Sequence, residues 1–78
     1  MQFEKPTDPG QAFLNREAIP GVTFMHNDYV RVLSGELAGS FGSLVTVLEL
    51  EPEPTFLLEL ETGFDAHVRQ SDIVLVNR

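Results

Sequence analysis

Short runs that alternate apolar and polar residues fill the chain from residue 28 to residue 76, and no other feature constrains the fold as much. In the first run, Val30 and Val32 alternate with Tyr29 and Arg31. Alternation with a period of two is typical of a β-strand that buries one face. Residues that favour turns separate the runs. The pattern therefore predicts a mainly β protein.

Five predicted strands can be separated along the chain by the turn residues between them. Three of them alternate, whereas "SLVTVLEL" at 43–50 is β-branched and apolar on both faces, as in a well-covered strand, and "IVLV" at 73–76 is a short apolar run. The turn signals are "EPEP" at 51–54, "TG" at 62–63 and "QSD" at 70–72, the last of which is typical of a short helical turn. Five short strands joined in this way predict a small, partly open antiparallel barrel. The predicted strands cover residues 28–33, 43–50, 55–61, 64–69 and 73–76.

The first 24 residues have a different composition, with prolines and glycines on both sides of one short segment. Asp8 is suited to cap a helix whose first position is Pro9, so the segment "PGQAFLNREA" predicts about two helical turns. We divide the chain into an N-terminal arm at 1–24 and a barrel at 25–78. A helix this short is only marginally stable in isolation. We therefore expect Phe13 to pack either over one end of the barrel or on a partner.

Composition narrows the functional classes. The chain has 78 residues, enough for one small domain, and it has no cysteine for a disulfide or a thiolate metal site. Five Lys and Arg against twelve Asp and Glu give a net charge of −7, which repels nucleic-acid phosphates and anionic lipid. No apolar run approaches the roughly 20 residues of a membrane span. We expect a soluble cytoplasmic protein with no membrane contact. The acidic surface suits a basic protein partner, and the alternative is that it only keeps a small protein soluble.

Three glycines separate the first two predicted strands, in the spacing V-x-V-x-x-G-x-x-x-G-x-x-G-x-L from Val30 to Leu44. This spacing resembles the KOW motif of SH3-like barrels in ribosomal proteins and transcription elongation factors. The closing "VRQSDIVLV" is similar to the end of such barrels, where a short helical turn precedes the last strand. The resemblance covers about residues 28–76. It implies a five-stranded antiparallel SH3-like barrel that serves as a non-catalytic binding module.

The basic residues that accompany the motif in its nucleic-acid-binding members are missing from this chain. Glu36, Ser40 and Ser43 stand in their places. Arg31 and Arg69 are the basic residues on which a weak nucleic-acid role would rest. The net charge disfavours that role.

The glycines themselves admit two interpretations. A loop that cradles phosphate needs glycines that lead into a helix N-terminus, with a lysine close by. Here a strand follows and no lysine is near. We therefore interpret the loop glycines and the hairpin glycine as turn residues, because glycine readily adopts positive φ angles. The set is Gly35, Gly39, Gly42 and Gly63.

Aromatic residues supply the candidate binding anchors. Phe41 stands in the predicted loop between strands, where an apolar ring has few neighbours, and Tyr29 is predicted to face outward. We interpret both as anchors for a protein partner. The alternative is that Phe41 folds over the open end of the barrel. The other phenylalanines are expected in the core or beneath the arm: Phe3, Phe13, Phe24, Phe56 and Phe64.

Glutamates surround the second predicted hairpin, and we expect them to gather into an acidic rim for a basic partner. A plain solvated face is the alternative. Carboxylates can also bind calcium, but the D-x-D-x-D-G spacing of a dedicated loop is missing. The expected rim consists of Glu49, Glu51, Glu53, Glu59 and Glu61.

Groups with catalytic or metal-binding chemistry are sparse. His26, Asp28 and Ser34 provide a base, an acid and a nucleophile, but no oxyanion loop or sizeable pocket is evident. His26, His67 and Asp65 are too widely separated in sequence to indicate a metal site. We expect no enzyme activity, no metal and no cofactor.

The leading functional hypothesis is a non-catalytic protein–protein interaction module. The alternative is an immunity-type inhibitor that neutralises a basic toxin or nuclease. A third reading is weak nucleic-acid binding of the KOW kind. The sequence leaves open the identity of the partner and the oligomeric state.

Overall fold

The computed structural model describes residues 9–76, which form one five-stranded antiparallel sheet and one short α-helix. The sheet order is β4-β3-β2-β1-β5. A 3₁₀ helix at Gln70–Asp72 joins the last two strands. The mainly β fold that the alternation predicts is confirmed. The elements are α1 Pro9–Leu14, β1 Tyr29–Val32, β2 Phe41–Glu49, β3 Thr55–Leu60, β4 Asp65–Arg69 and β5 Ile73–Leu75.

The central strand of the sheet is β2, and β1 lies between it and the edge strand β5. β1 pairs with β2 on one side and with β5 on the other, while β3 pairs with β2 and β4. The edge strands β4 and β5 do not pair with each other within residues 9–76. The sheet therefore has the partly open form that the sequence predicted.

One face of the sheet forms the core. The two valines of β1 and the residues Phe56 and Leu58 of β3 are almost completely buried. In β2 the register shifts after Leu44, so that Val47 is buried where strict alternation would bury Thr46. Such a bulge bends the strand and lets a long β2 follow the curved sheet.

The helix of the N-terminal arm docks on the chain's own sheet. Phe13 is 2% exposed, and its ring centroid lies 5.6 Å from that of Phe56. The helix ends in a Schellman-type cap, in which Glu17 N–H donates to the Ala12 carbonyl and Arg16 adopts a φ of 60°. The predicted helix is confirmed, although it has six residues. The predicted cap, Asp8, lies outside the described residues.

Two predicted positions of phenylalanines are wrong. Phe41 lies at the start of β2 and not in a loop, because it pairs with Arg31 and its carbonyl accepts the Glu61 N–H. Phe64 is 73% exposed and not in the core. It follows the tight turn after β3, at the end of the sheet, where no described element covers it. Phe3 lies outside the described residues.

The glycines divide into two kinds. Gly35, Gly39 and Gly63 have φ angles of 84°, 89° and 97°, which suit turn positions. Gly42 differs from its expected role as a turn residue, because it lies inside β2. A Cβ atom on Gly42 would stand 2.4 Å from the Glu59 carbonyl oxygen. This glycine is therefore required by the close approach of β3 and not by a turn.

Candidate functional site

The solvent-facing side of the central strands carries the residues that the sequence singled out as anchors. Directly paired residues of an antiparallel sheet lie on the same face. Arg31 pairs with Phe41, Tyr29 pairs with Ser43, and Ser43 pairs with Glu59. We call this side the outer aromatic face and define it as Tyr29, Arg31, Phe41, Ser43, Glu59 and Glu61.

The two anchors contact each other. The rings of Tyr29 and Phe41 are stacked, with centroids 5.8 Å apart and an interplanar angle of 17°. Both residues are half-buried. Each ring limits the freedom of the other, so the pair presents a preorganised apolar surface.

Glu61 holds the tyrosine in this position. The Tyr29 hydroxyl donates a hydrogen bond to the Glu61 carboxylate, and the Glu61 N–H donates to the Phe41 carbonyl at 3.1 Å. The hydrogen bond to Glu61 raises the pKa of the Tyr29 phenol, with smaller contributions from burial and from the carboxylate charge. The phenol therefore favours its neutral, donating form.

Arg31 lies on the other side of Phe41 from Glu61. It is exposed, and within residues 9–76 it forms no ion pair. Its second cross-strand neighbour is Val74, which is 42% exposed. A cation between an aromatic ring and an aliphatic side chain has the composition of a protein-binding surface, in which aromatic residues and arginine are enriched.

A shallow groove adjoins Phe41 at the start of β2. Its volume is about 210 Å³, less than that of typical small-molecule sites. It can accept a side chain of a partner. The lining residues are Gly39, Ser40, Phe41, Leu60, Glu61 and Thr62.

The predicted acidic rim does not gather in one place. Glu49 pairs with Thr55 at the start of β3, whereas Glu59 lies near its other end. Glu59 lies four positions after Thr55 along β3, a distance of about 13 Å. Glu51 and Glu53 belong to the turn beside Glu49. The prediction of a single acidic rim is therefore wrong. The turn of the β2–β3 hairpin and its open end lie at opposite ends of the two strands, and the glutamates are divided between them.

Glu53 also has a structural partner. Its carboxylate accepts the Ser71 N–H at 3.0 Å and the Ser71 hydroxyl at 3.2 Å. These bonds tie the β2–β3 turn to the 3₁₀ helix. Glu53 is therefore less suited to contact a partner than the exposed Glu59 and Glu61.

A second concave region, of about 300 Å³, lies between the loop after β1 and strand β4. No sequence pattern predicts this concave region. The Asp72 carboxylate accepts a hydrogen bond from the Ser34 hydroxyl at 2.8 Å, and it forms an ion pair with Arg69 at 2.9 Å. Hydrogen bonds from Ser34 and then Arg69 lower the pKa of the Asp72 carboxyl. The Arg69 charge is thus paired with Asp72, which weakens the case for a nucleic-acid role.

The three residues of the candidate catalytic group form hydrogen bonds with residues outside that group. His26 Nδ1 bonds the Val45 carbonyl at 2.8 Å, and because a carbonyl only accepts, Nδ1 carries the proton. Asp28 accepts the Met25 N–H at 2.8 Å, and Ser34 donates to Asp72. Within residues 9–76, no three His, Cys, Asp or Glu side chains come together in a metal-binding arrangement.

No known family model matches this chain, and no curated protein or solved structure matches it. In the part of the chain that the structure describes, no helix has the length and apolar character needed to cross a membrane.

Proposed function

We propose that this protein is a non-catalytic protein–protein interaction module that binds its partner through the outer aromatic face. The observation that carries the proposal is the stacked pair of Tyr29 and Phe41, held in place by Glu61. Binding energy at protein interfaces concentrates in a few aromatic and arginine residues at the centre of the contact. Here Arg31 stands beside the pair as well.

The preorganisation of the pair supports binding without a large loss of side-chain entropy. Ordering a free side chain on binding costs about 0.5–1.5 kcal/mol. The stack and the hydrogen bond from Tyr29 to Glu61 restrict the ring of Tyr29 before any partner arrives. A rigid aromatic surface with charged neighbours suits a protein partner.

We also propose that the barrel is of the KOW type, which the glycine spacing supports, and that the protein works in the cytoplasm. Its use in this chain is protein binding. The nucleic-acid role of the family has less support, because Arg69 is paired with Asp72 and carboxylates surround Arg31's face.

An immunity-type inhibitor is the second candidate. The net charge of −7 favours a basic partner. Glu59, Glu61 and Asp65 are exposed, and within residues 9–76 none of them forms an ion pair. Glu59 also stands directly opposite Asp65, an unfavourable like-charge pair that a basic residue of a toxin or nuclease would relieve.

The test is affinity capture with the tagged protein, in which Phe41→Ala is compared with the wild type and with Leu14→Ala. Leu14 is 45% exposed but lies on α1, away from the outer aromatic face. We expect partners captured by the wild type and by Leu14→Ala to be lost with Phe41→Ala. Equal capture by all three proteins contradicts the proposal. If the captured partner is basic and its binding weakens steeply with salt, the inhibitor is favoured.

A further inference from the structure

Opposite charges flank Phe41 in a single row across the sheet. Arg31 on β1 pairs with Phe41, and on the other side the Glu61 N–H donates to the Phe41 carbonyl. Neighbouring strands lie about 4.8 Å apart, so the backbones of Arg31 and Glu61 are about 10 Å apart, with Phe41 midway. The row therefore reads cation, aromatic ring, anion.

This order makes the row complementary to itself. Rotation by half a turn about an axis that runs along β2, in the plane of the interface, exchanges the positions of Arg31 and Glu61. In a second copy facing the first, Glu61 would lie over Arg31 and Arg31 over Glu61, while Phe41 would meet Phe41. Such self-complementary patches are the basis of two-fold symmetric dimers.

The neighbouring residues of β2 permit this approach. Ser43, the next outward-facing residue of β2, is small, and it lies between Tyr29 and Glu59 in the adjacent row. The same rotation would place the Tyr29 backbone of one copy opposite Glu59 of the other. The Tyr29 ring leans across β2 onto Phe41, with its hydroxyl on Glu61 of its own copy, so the stacked rings of Tyr29 and Phe41 are the bulky side chains at the proposed axis.

We propose that the outer aromatic face binds a second copy of this chain, in a two-fold symmetric dimer with Arg31 of each copy paired with Glu61 of the other. This inference rests on the proposed function, because it uses the same face and names its occupant. Charge complementarity selects the second copy: each dimer forms the Arg31–Glu61 contact twice, next to stacked aromatic rings.

The net charge of −7 on each copy does not prevent this association. At physiological ionic strength, charges farther apart than about 8 Å are largely screened. The proposed contacts between Arg31 and Glu61 would be shorter than this distance, so screening weakens them less than it weakens the repulsion between acidic groups that lie farther apart.

The experiment is sedimentation velocity on the full chain over a wide concentration range. Arg31→Glu and Glu61→Arg each place like charges opposite one another in their own dimers. We expect the wild type to dimerise and each single variant to dimerise about tenfold more weakly, or more so. An equimolar mixture of the two variants restores both attractive contacts, so we expect it to form a heterodimer. Glu17→Arg, at an exposed residue beyond α1, is the matched control and should behave as the wild type.

Three results of the sedimentation experiment would contradict the proposed dimer. A wild type that stays monomeric, a dimer that persists in both single variants, or a mixture that stays monomeric overturns the inference. Far-ultraviolet circular dichroism checks that each variant is folded. If a charge-reversal variant does not fold, the neutral variant Arg31→Gln or Glu61→Gln replaces it. Each neutral variant should also weaken the dimer. A monomer that still captures another protein through Phe41 overturns the dimer and leaves the proposed function standing.

Discussion

The ring of Tyr29 lies parallel to the ring of Phe41 on the outer aromatic face, with centroids 5.8 Å apart. In this position the Tyr29 hydroxyl donates to Glu61. Tyr29 is the only tyrosine of the chain, and the chain has no tryptophan. Tyrosine absorbance and fluorescence therefore report on this face alone.

We predict that the phenol of Tyr29 titrates above the ordinary tyrosine pKa of about 10. The hydrogen bond to Glu61 is the main cause of this raised pKa. A raised folded-state pKa stabilises the fold fully below about pH 10. That contribution is lost as the pH rises through the folded pKa. An absorbance titration of tyrosinate measures the pKa directly.

The variant Glu61→Gln removes the carboxylate charge from this pair and is the control for the titration. We expect it to lower the pKa of Tyr29 toward the ordinary value. Tyr29 titrating at the same pH in both proteins would show that Glu61 does not hold the phenol in solution.

Removing the Phe13 side chain should destabilise the protein strongly. Phe13 is 2% exposed and contacts the ring of Phe56, so Phe13→Ala leaves a cavity beneath α1. Large aromatic-to-alanine changes in cores cost about 3–5 kcal/mol. Urea unfolding measures the change in the free energy of unfolding. Leu14→Ala, at a residue 45% exposed on the same helix, should change it by about 0.5 kcal/mol or less.

The substitution Gly42→Ala tests the close approach of β3 to β2. The added methyl group would stand 2.4 Å from the Glu59 carbonyl oxygen, so the strands must separate. We expect a loss of about 1–3 kcal/mol in the free energy of unfolding. Ser43→Ala, at the next residue of β2, adds no atoms and is the control. If Gly42→Ala unfolds at the same urea concentration as the wild type, the strands are less closely packed than the structure indicates.

Asp72 should make the protein sensitive to acid. Hydrogen bonds from Ser34 and Arg69 lower the pKa of its carboxyl. The resulting stabilisation is present above the ordinary aspartate pKa of about 3.9 and is lost as the pH falls through the lowered folded pKa. Thermal unfolding between neutral and acidic pH should therefore show a smaller acid-dependent decrease in Asp72→Asn than in the wild type. An identical pH dependence in the two proteins would contradict this role of Asp72.

The strands could be predicted because burial on one face leaves a direct mark on the sequence. Alternation and β-branched apolar runs predict the five strands, the residues "QSD" predict the helical turn at Gln70–Asp72, and the Thr62-Gly63 turn predicts the β3–β4 hairpin. Alternation predicts which face of a strand a residue lies on, but it does not predict whether a neighbouring element covers that residue at the end of the sheet. For this reason Phe64, which continues the inward pattern of β4, was expected in the core although it is exposed.

The candidate site could be predicted only in part. Tyr29 and Phe41 were identified separately, but their contact depends on the register between β1 and β2 across a long loop, which sequence alone does not specify. Gly42 was read as a turn residue because the spacing of glycines does not reveal an approaching carbonyl. The cluster of Ser34, Arg69 and Asp72 joins residues far apart in sequence, and no local pattern signals it.

The most direct test of the outer aromatic face is a comparison of backbone amide chemical shifts in the free protein and in its complex, whether with a captured partner or with a second copy at high concentration. We predict that the largest chemical-shift changes fall on Tyr29, Arg31, Phe41 and Glu61, and that Phe41→Ala abolishes them. Changes that concentrate instead on the cleft between residues 34–37 and 67–69 would contradict it.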